Sequence, residues 1–120
     1  MTPAKFLAKR AHPRFTFSAD AEATLKDGAT IPAQLFELSS HGCYIDTIQA
    51  IPVGSEVSLR IESGVNHCEL PAKVIYAHSG YGMGVFGMGV AFGELSAEQR
   101  LAIDTWISEL AQNQTQATPN

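Results

Sequence analysis

The sequence predicts an all-β fold, a small antiparallel β-barrel of five or six strands followed by one C-terminal α-helix. Three observations support this class. Apolar and polar residues alternate over long stretches, turn residues separate these stretches, and the last apolar segment has helical spacing. The 120 residues are enough for one domain, and 45% hydrophobic with 17% charged residues is ordinary for a globular protein.

The first two strands form a predicted hairpin. Residues 15–25 alternate between apolar and polar side chains, which is typical of a strand with one buried face. Asp27-Gly28 is a strong hairpin signal, and the second strand follows from about Thr30 to Leu38.

Four further strands are expected at about 43–47, 56–62, 67–78 and in a segment that ends at 92. Pro71 predicts a sheet edge or a bulge in the fifth strand, because proline has no N–H to donate. The four residues GMGV occur twice, at 82–85 and 87–90, and the sequence leaves open which copy pairs with the fifth strand. We expect a bulged or bent strand there.

The C-terminal helix follows Ser96, a good N-cap, and Gln99 completes a capping-box pattern. Helical spacing predicts one apolar stripe with Trp106 as a core residue, formed by Ile103, Trp106, Ile107 and Leu110. We therefore expect a flexible basic arm at 1–14, the barrel and helix at 15–111, and a disordered polar tail at 112–120.

The composition favours a cytoplasmic protein without membrane insertion. No apolar run approaches the roughly 20 residues of a membrane span, and charged residues interrupt the region where a signal peptide would lie. Cys43 and Cys68 are then expected to be reduced, buried thiols. They form no metal-site spacing with the four histidines, so we expect no metal.

The net charge of −4 conceals an asymmetry. Residues 1–19 contain no acid and carry four positive charges, on Lys5, Lys9, Arg10 and Arg14. The other 101 residues carry a net charge of −8. This distribution is unlike a general nucleic-acid binder, whose basic patch covers a face, and it fits a short cationic arm that captures one small anion.

We expect no enzyme, because the sequence lacks a convincing catalytic group. Ser39, Ser40 and His41 are contiguous, but neighbouring side chains of an extended chain point to opposite faces. Gly82, Gly84 and Gly87 match a dinucleotide fingerprint by accident, since no helix opens there to receive a pyrophosphate.

Two segments carry complementary chemistry. RAHPR at 10–14 holds Arg10 and Arg14, whose guanidinium groups suit phosphate oxygens and the O6/N7 edge of guanine. ELSSHG at 37–42 holds a carboxylate that can accept from guanine, a hydroxyl that can donate to phosphate, and a glycine that permits close approach. Alone, the arginine pair also fits a solvated tail; together, the two segments predict a site for guanine plus phosphate.

These segments resemble the motifs of the PilZ domain, a bacterial receptor module for cyclic di-GMP. The family pattern is RxxxR in an N-terminal arm, followed about two dozen residues later by [D/N]xSxxG at the start of a barrel strand. The resemblance continues through GCYIDT, IPVGSEVSLRI, AKVIYA and GMGVAFGELSAEQR and covers about residues 9–110. It implies a six-stranded antiparallel PilZ-type β-barrel with a C-terminal helix.

The resemblance also implies a cyclic di-GMP site, with no other cofactor, formed by Arg10, Arg14, Glu37, Ser39 and Gly42. The arginines would grip phosphates and guanine edges, Ser39 would bond a phosphate, and Gly42 would leave room for the ligand. Position 37 would read a guanine. Lys9 would add charge, and Tyr76 stands where some members place an aromatic beside the ligand, although it also fits an ordinary strand aromatic.

Glu37 departs from the family pattern, which has Asp or Asn there. Its carboxylate reaches one methylene, about 1.5 Å, further, whereas binding sites tolerate roughly 0.5 Å of misplacement. We expect a cyclic di-GMP effector that changes its arm and the surface shown to an unidentified protein partner.

Two alternatives remain open. One is a degenerate PilZ domain that binds no nucleotide and acts as a protein adaptor related to motility or pili. The other is a barrel that binds single-stranded nucleic acid. Such a barrel would need a basic, aromatic strand face, which the acidic residues 20–120 do not predict, so we expect no nucleic-acid partner.

Overall fold

The computed structural model describes residues 14–80 and 84–117. Six strands and one helix follow in chain order: β1 (Phe15–Leu25), β2 (Thr30–Ser39), β3 (Gly42–Thr47), β4 (Glu56–Ser63), β5 (Asn66–Gly80), β6 (Val85–Phe92) and α1 (Ala97–Ala117). The predicted strands are confirmed to within a few residues at their ends. Of the predicted arm, Arg14 alone lies within the described residues.

The strands close into an antiparallel barrel in the order β1-β2-β3-β6-β5-β4. The closed order confirms the predicted fold class, and it leaves every strand paired on both sides. The predicted hairpin at Asp27-Gly28 is present: Gly28 has a φ of +92°, and Asp27 Oδ1 accepts a hydrogen bond from the Ala29 N–H at 2.9 Å.

The barrel interior is filled by the apolar side chains of alternating residues. On β1 the buried residues are the small Ala19, Ala21 and Ala23, and the larger ones come from the other strands: Leu35, Leu38, Ile45, Leu59, Ile61, Leu70, Val74 and Met88. Both cysteines are free and buried, as predicted. The period-two pattern of the sequence therefore identified the core-facing side of the barrel.

The second GMGV copy, residues 87–90, sets the register of β6. It pairs with β3 through Cys43↔Val90 and with β5 through Val74↔Val90. Of the first copy, Gly84 has a φ of +72° and Val85 begins the strand. Only glycine adopts such a φ at little cost, so Gly84 marks the entry to β6, and the whole second copy lies within the strand.

Pro71 lies at the end of the ladder between β5 and β6. Their pairing begins at Ala72↔Phe92, and the Pro71 carbonyl accepts the Gly93 N–H at 2.8 Å just beyond it. The missing N–H of Pro71 therefore falls where the ladder has ended. The register shift of β5 occurs further along, between Val74 and Tyr76.

Helix α1 packs against β1 and β5. Its capping box is formed: Gln99 N–H donates to Ser96 Oγ at 3.1 Å, and Ser96 N–H donates to Gln99 Oε1 at 2.8 Å. Ile103 and Trp106 are buried in the barrel core, and the Trp106 ring lies 5.5 Å from that of Phe17. Trp106 is thus the core residue that the helical spacing predicted.

The helix is longer than the sequence predicted. The expected disordered tail at 112–120 is wrong for residues 112–117, which continue α1 to Ala117. The physical reason is that AQNQTQA contains neither Gly nor Pro and includes the good helix formers Ala and Gln. Within the described residues, no helix is long and apolar enough to cross a bilayer.

Candidate functional site

Two β-bulges turn predicted site residues to the outside of the barrel. On β2, the register shifts between Leu35 and Glu37, so that buried Leu35 pairs with Ile45 and outward-facing Glu37 pairs with Tyr44. Without the extra residue, Phe36, strict alternation would point Glu37 inward. The bulge therefore places this carboxylate on the outer surface.

The bulge on β5 does the same for Tyr76. Val74 is buried and pairs with Val90, whereas Tyr76 is 40% exposed and pairs with Gly89. The residue between them, Ile75, is the extra one. Because β3 and β5 both pair with β6, Tyr44 and Tyr76 lie on either side of Gly89 in one row across the sheet.

The glycines of β6 make space for aromatic rings from both neighbouring strands. A Cβ added to Gly89 would collide with the ring of Tyr76, and one added to Gly87 would collide with the hydroxyl of Tyr44. The Tyr44 hydroxyl is also hydrogen-bonded to His78 Nε2 at 2.9 Å, with the two rings stacked at 6.1 Å. We call Tyr44, Tyr76 and His78 the aromatic shelf.

A cleft of about 260 Å³ opens beside the aromatic shelf, between the β2–β3 hairpin and β5. Its lining includes five of the residues that the sequence singled out: Arg14, Glu37, Ser39, Gly42 and Tyr76. The fold thus brings Arg14 to the ELSSHG segment, 23 residues away in the chain. Arg10 and Lys9, the other predicted site residues, lie outside the described part of the chain.

Arg14 and Glu37 form an ion pair across the cleft. Arg14 Nη1 lies 3.6 Å from Glu37 Oε1, and their side chains are 30% and 45% exposed. A partly exposed pair of this kind contributes on the order of 0–1 kcal/mol, so an anion can displace the carboxylate from the guanidinium at little cost.

Ser39 closes the hairpin turn in the described structure. Its Oγ donates to the Gly42 carbonyl at 3.2 Å and accepts from the His41 N–H at 3.4 Å. A hydroxyl has one proton to donate. Ser39 would therefore have to give up its bond to Gly42 before it could donate to a phosphate.

Gly42 has a packing role within the barrel. A Cβ at this position would collide with the backbone carbonyl oxygen of Val90 on the neighbouring strand β6. Any side chain here would push β3 away from β6, so glycine is needed whether or not a ligand binds. The role implied by the resemblance, room for the ligand, stays a prediction.

Two residues of this surface were missed in the sequence. Tyr44 also lines the cleft. The sequence pattern could have identified it, because the alternation of β3 places Tyr44 on the same outward face as Gly42. His78 could not be placed, because the GMGV repeat left the register of β6 open.

A second depression lies beside the cleft and is lined by Arg14, Phe36, Glu37, Tyr44, Asp46 and Tyr76. Asp46 Oδ1 is buried there without a hydrogen-bond partner in the part of the chain that the structure describes. A buried carboxylate oxygen without a donor is costly, so Asp46 offers an acceptor next to the predicted site.

The Cys43 thiol, which lines the cleft, is poorly suited to nucleophilic catalysis. Burial raises the pKa of the Cys43 thiol to about 12, which keeps it protonated and unreactive near neutral pH. Ser40 Oγ does lie 2.8 Å from His41 Nδ1, contrary to the expected opposite orientation, because these residues form a turn rather than an extended strand.

The fold and the cleft define a closed antiparallel barrel with a partly aromatic cleft on its outer wall and a helix against one flank. A family model described as the PilZ domain matches residues 8–109. The chain belongs to the PilZ domain family.

Solved structures of the family share this fold at low sequence identity. The PilZ domain of YcgR from Escherichia coli, with c-di-GMP, has a TM-score of 0.75 and 16% identity, covering 91% of this chain and 96% of that one. The MrkH–c-di-GMP complex of K. pneumonia has a TM-score of 0.79 and 11% identity, covering 92% and 56%. The Bacillus subtilis inhibitor of motility, MotI/DgrA, has a TM-score of 0.72 and 16% identity, covering 88% and 52%.

The chain therefore spans about half the length of the MrkH and MotI chains that it resembles. Among the curated proteins, none matches this sequence.

Proposed function

We propose that this protein is a cyclic di-GMP effector that binds the nucleotide in the cleft beside the aromatic shelf. The observation that carries the proposal is the convergence of Arg14, Glu37, Ser39 and Tyr76 on one cleft, from β2, β5 and the residue before β1. Membership of the PilZ family and the c-di-GMP complexes among its structural relatives support the choice of nucleotide.

Binding begins with an exchange of partners at Arg14. A phosphodiester of the ligand takes the guanidinium from Glu37, because the existing ion pair is weak and the two free phosphate oxygens accept hydrogen bonds from arginine in a bidentate geometry. The released Glu37 carboxylate can then accept the N1–H and N2–H donors of a guanine. Arg10 and Lys9 precede Arg14 in the sequence and would add positive charge to the same anion.

The aromatic shelf gives the guanine bases a flat surface. Tyr76 is partly exposed in the cleft, and stacking on an aromatic face contributes roughly 1–3 kcal/mol per base in nucleic-acid complexes. Tyr44 is held beside it by His78. We therefore assign base stacking to Tyr76 and Tyr44, and phosphate binding to the arginines and Ser39.

The nucleotide also changes the arrangement of the arm, residues 1–14, in this proposal. Arg14 immediately precedes β1, so a ligand that holds Arg14 and Arg10 together fixes the arm against the barrel. The surface shown to a protein partner then differs between the free and bound states, and binding shifts the population between them. No enzymatic step belongs to this mechanism.

Isothermal titration calorimetry with cyclic di-GMP tests the proposal. We expect saturable heat for the wild type, loss of binding in Arg14→Ala, and unchanged binding in Arg60→Ala, which removes an arginine paired to a carboxylate outside the cleft. Glu37→Asp should bind equally well or more tightly, because Asp restores the shorter family side chain. No heat with the wild type at high micromolar ligand would refute the proposal.

A second candidate function is a protein adaptor that needs no nucleotide. It is favoured by the ion pair between Arg14 and Glu37, because two proposed ligand-binding groups already satisfy one another. The MotI neighbour, an inhibitor of motility, has the same fold. A pull-down in which wild type and Arg10→Ala/Arg14→Ala retain the same partner equally well would favour this candidate.

A cytoplasmic location belongs to the proposal as well. Cys43 and Cys68 are buried and not bonded to one another. Unpaired thiols agree with a reducing compartment.

A further inference from the structure

The turn that carries the ELSSHG segment lacks the residues that are most common in turns of its length. Ser40 and His41 form a two-residue connection between β2 and β3, next to the terminal pair Ser39↔Gly42. Connections of this length favour Asn, Asp and Gly, because their backbone usually requires positive φ values. Neither Ser nor His belongs to that group, so contacts from elsewhere can add to the local bonds that Ser39 makes in this turn.

Both carbonyls of the turn accept hydrogen bonds from distant parts of the chain. The His41 carbonyl accepts the backbone N–H of Phe92, at the end of β6, at 2.9 Å. The Ser40 carbonyl accepts a bond from Nη2 of Arg100, which lies 60 residues further along the chain in α1. A guanidinium donor makes the second bond charge-assisted and therefore the stronger type.

Arg100 is itself held in place on the helix. Asp104, one turn further along, accepts from Arg100 Nε at 3.2 Å and lies 3.1 Å from its Nη2. The first turn of the helix is tied to β5, because Gln99 Nε2 donates to the Glu69 carbonyl at 2.8 Å. The contacts of Asp104 and Gln99 therefore fix the position from which the Arg100 guanidinium reaches the turn.

We propose that Arg100 is a positioning residue for the nucleotide site, which it joins to helix α1. By holding the Ser40 carbonyl, Arg100 fixes the turn that follows Glu37 and Ser39, the two residues of β2 assigned to the ligand. This inference rests on the proposed function. The link is reciprocal: a ligand that tightens the turn also stabilises the first turn of α1, so the helix responds to occupancy of the cleft.

The test compares wild type, Arg100→Met, Arg100→Lys and Arg60→Met in two measurements. Methionine keeps the apolar stem and removes all hydrogen-bond donors. Lysine keeps the positive charge and an ammonium group that can still donate to the Ser40 carbonyl. Arg60→Met is the matched control, since Arg60 also pairs with a carboxylate, Glu62, on a strand that contributes no described residue to the cleft. Calorimetry measures the Kd for cyclic di-GMP, and amide hydrogen exchange compares residues 40–44 with the rest of the barrel.

We expect Arg100→Met to raise the Kd about tenfold, the effect of losing one charge-assisted bond that orders the site. Arg100→Lys should fall between it and the wild type, and Arg60→Met should bind like the wild type. Exchange in the ligand-free protein should accelerate at residues 40–44 in Arg100→Met while the remaining barrel amides stay protected.

Three results would overturn the inference. Wild-type affinity in Arg100→Met would show that the site does not depend on this bond. Faster exchange throughout the barrel in Arg100→Met would show a general structural role instead. A wild type that binds no cyclic di-GMP refutes the proposed function first, and the role of Arg100 in nucleotide binding falls with it.

Discussion

A single methyl group at Gly89 tests how the outer wall of the barrel is built. The Tyr76 ring lies over this glycine, and its Cζ and Cδ2 atoms stand 2.5 and 2.8 Å from the place that a Cβ would occupy. Ordinary carbon contacts lie at roughly 3.5–4.0 Å. In Gly89→Ala the ring must therefore move outward by about 1 Å or rotate away.

The cost follows from the surface that Tyr76 would lose. An aromatic side chain can bury about 150–250 Å², and Tyr76 is 40% exposed, so it buries roughly 100–150 Å². Losing half of that at about 25 cal/mol per Å² costs roughly 1.5 kcal/mol. Ala gains about 0.5–1 kcal/mol over Gly within a strand, which leaves a net loss of about 0.5–1 kcal/mol.

A double-mutant cycle in urea isolates the contact between ring and glycine. In the Tyr76→Ala background no ring opposes the new methyl group, so Gly89→Ala should stabilise the protein by about 0.5–1 kcal/mol. The sign of the effect should thus reverse between the two backgrounds. An equal change in the free energy of unfolding in both would refute the account of the aromatic shelf.

Three further predictions concern stability and are checked by urea denaturation. Leu59 is fully buried, so Leu59→Ala should cost about 2–5 kcal/mol, and a loss below 1 kcal/mol would contradict its place in the core. Ser96→Ala should lower the free energy of unfolding by about 1 kcal/mol, because it removes the N-cap. An unchanged free energy of unfolding would show that the capping box does not stabilise the protein. Because burial raises the pKa of Cys43 from 9.0 to about 12, the unfolded chain loses this proton first. Stability should then fall by up to about 1.4 kcal/mol per pH unit between these values, and Cys43→Ala should flatten that slope; an unchanged slope would contradict the assignment.

The strands and the core could be predicted because their pattern is local. Alternation along 15–25 identified β1 and its buried alanines, and helical spacing identified Trp106. The capping box was visible as Ser96 and Gln99. Each of these signals depends on residues within one turn or one strand of each other, so a single sequence is enough to reveal it.

The geometry of the site depends on pairings that a single sequence does not contain. Glu37 and Tyr76 face outward because β2 and β5 each contain a bulge, and nothing at Phe36 or Ile75 marks an extra residue. The bond from Arg100 to Ser40 joins positions 60 residues apart. The motifs therefore identified the candidate site residues, whereas the strand register of the barrel determines which of them lie in the same cleft.

Two of the predicted site residues make contacts in the structure that the sequence did not predict. Gly42 was predicted to leave room for the ligand, and its neighbour in the structure is the Val90 carbonyl of the same barrel. Glu37 was predicted to face a guanine, and in the described structure it holds Arg14. In this chain Gly42 therefore has a packing role that does not depend on a ligand.

The most direct test of the account is an NMR titration of the ¹⁵N-labelled protein with cyclic di-GMP. We predict that the largest amide shift changes occur at the strand segments that line or flank the cleft, residues 37–44, 75–78 and 87–91. Signals of the β4–β5 hairpin around Gly64, which lies outside the described cleft, should stay in place. The absence of any shift at saturating nucleotide, or shifts centred on that hairpin, would contradict the central claim that this cleft binds the nucleotide.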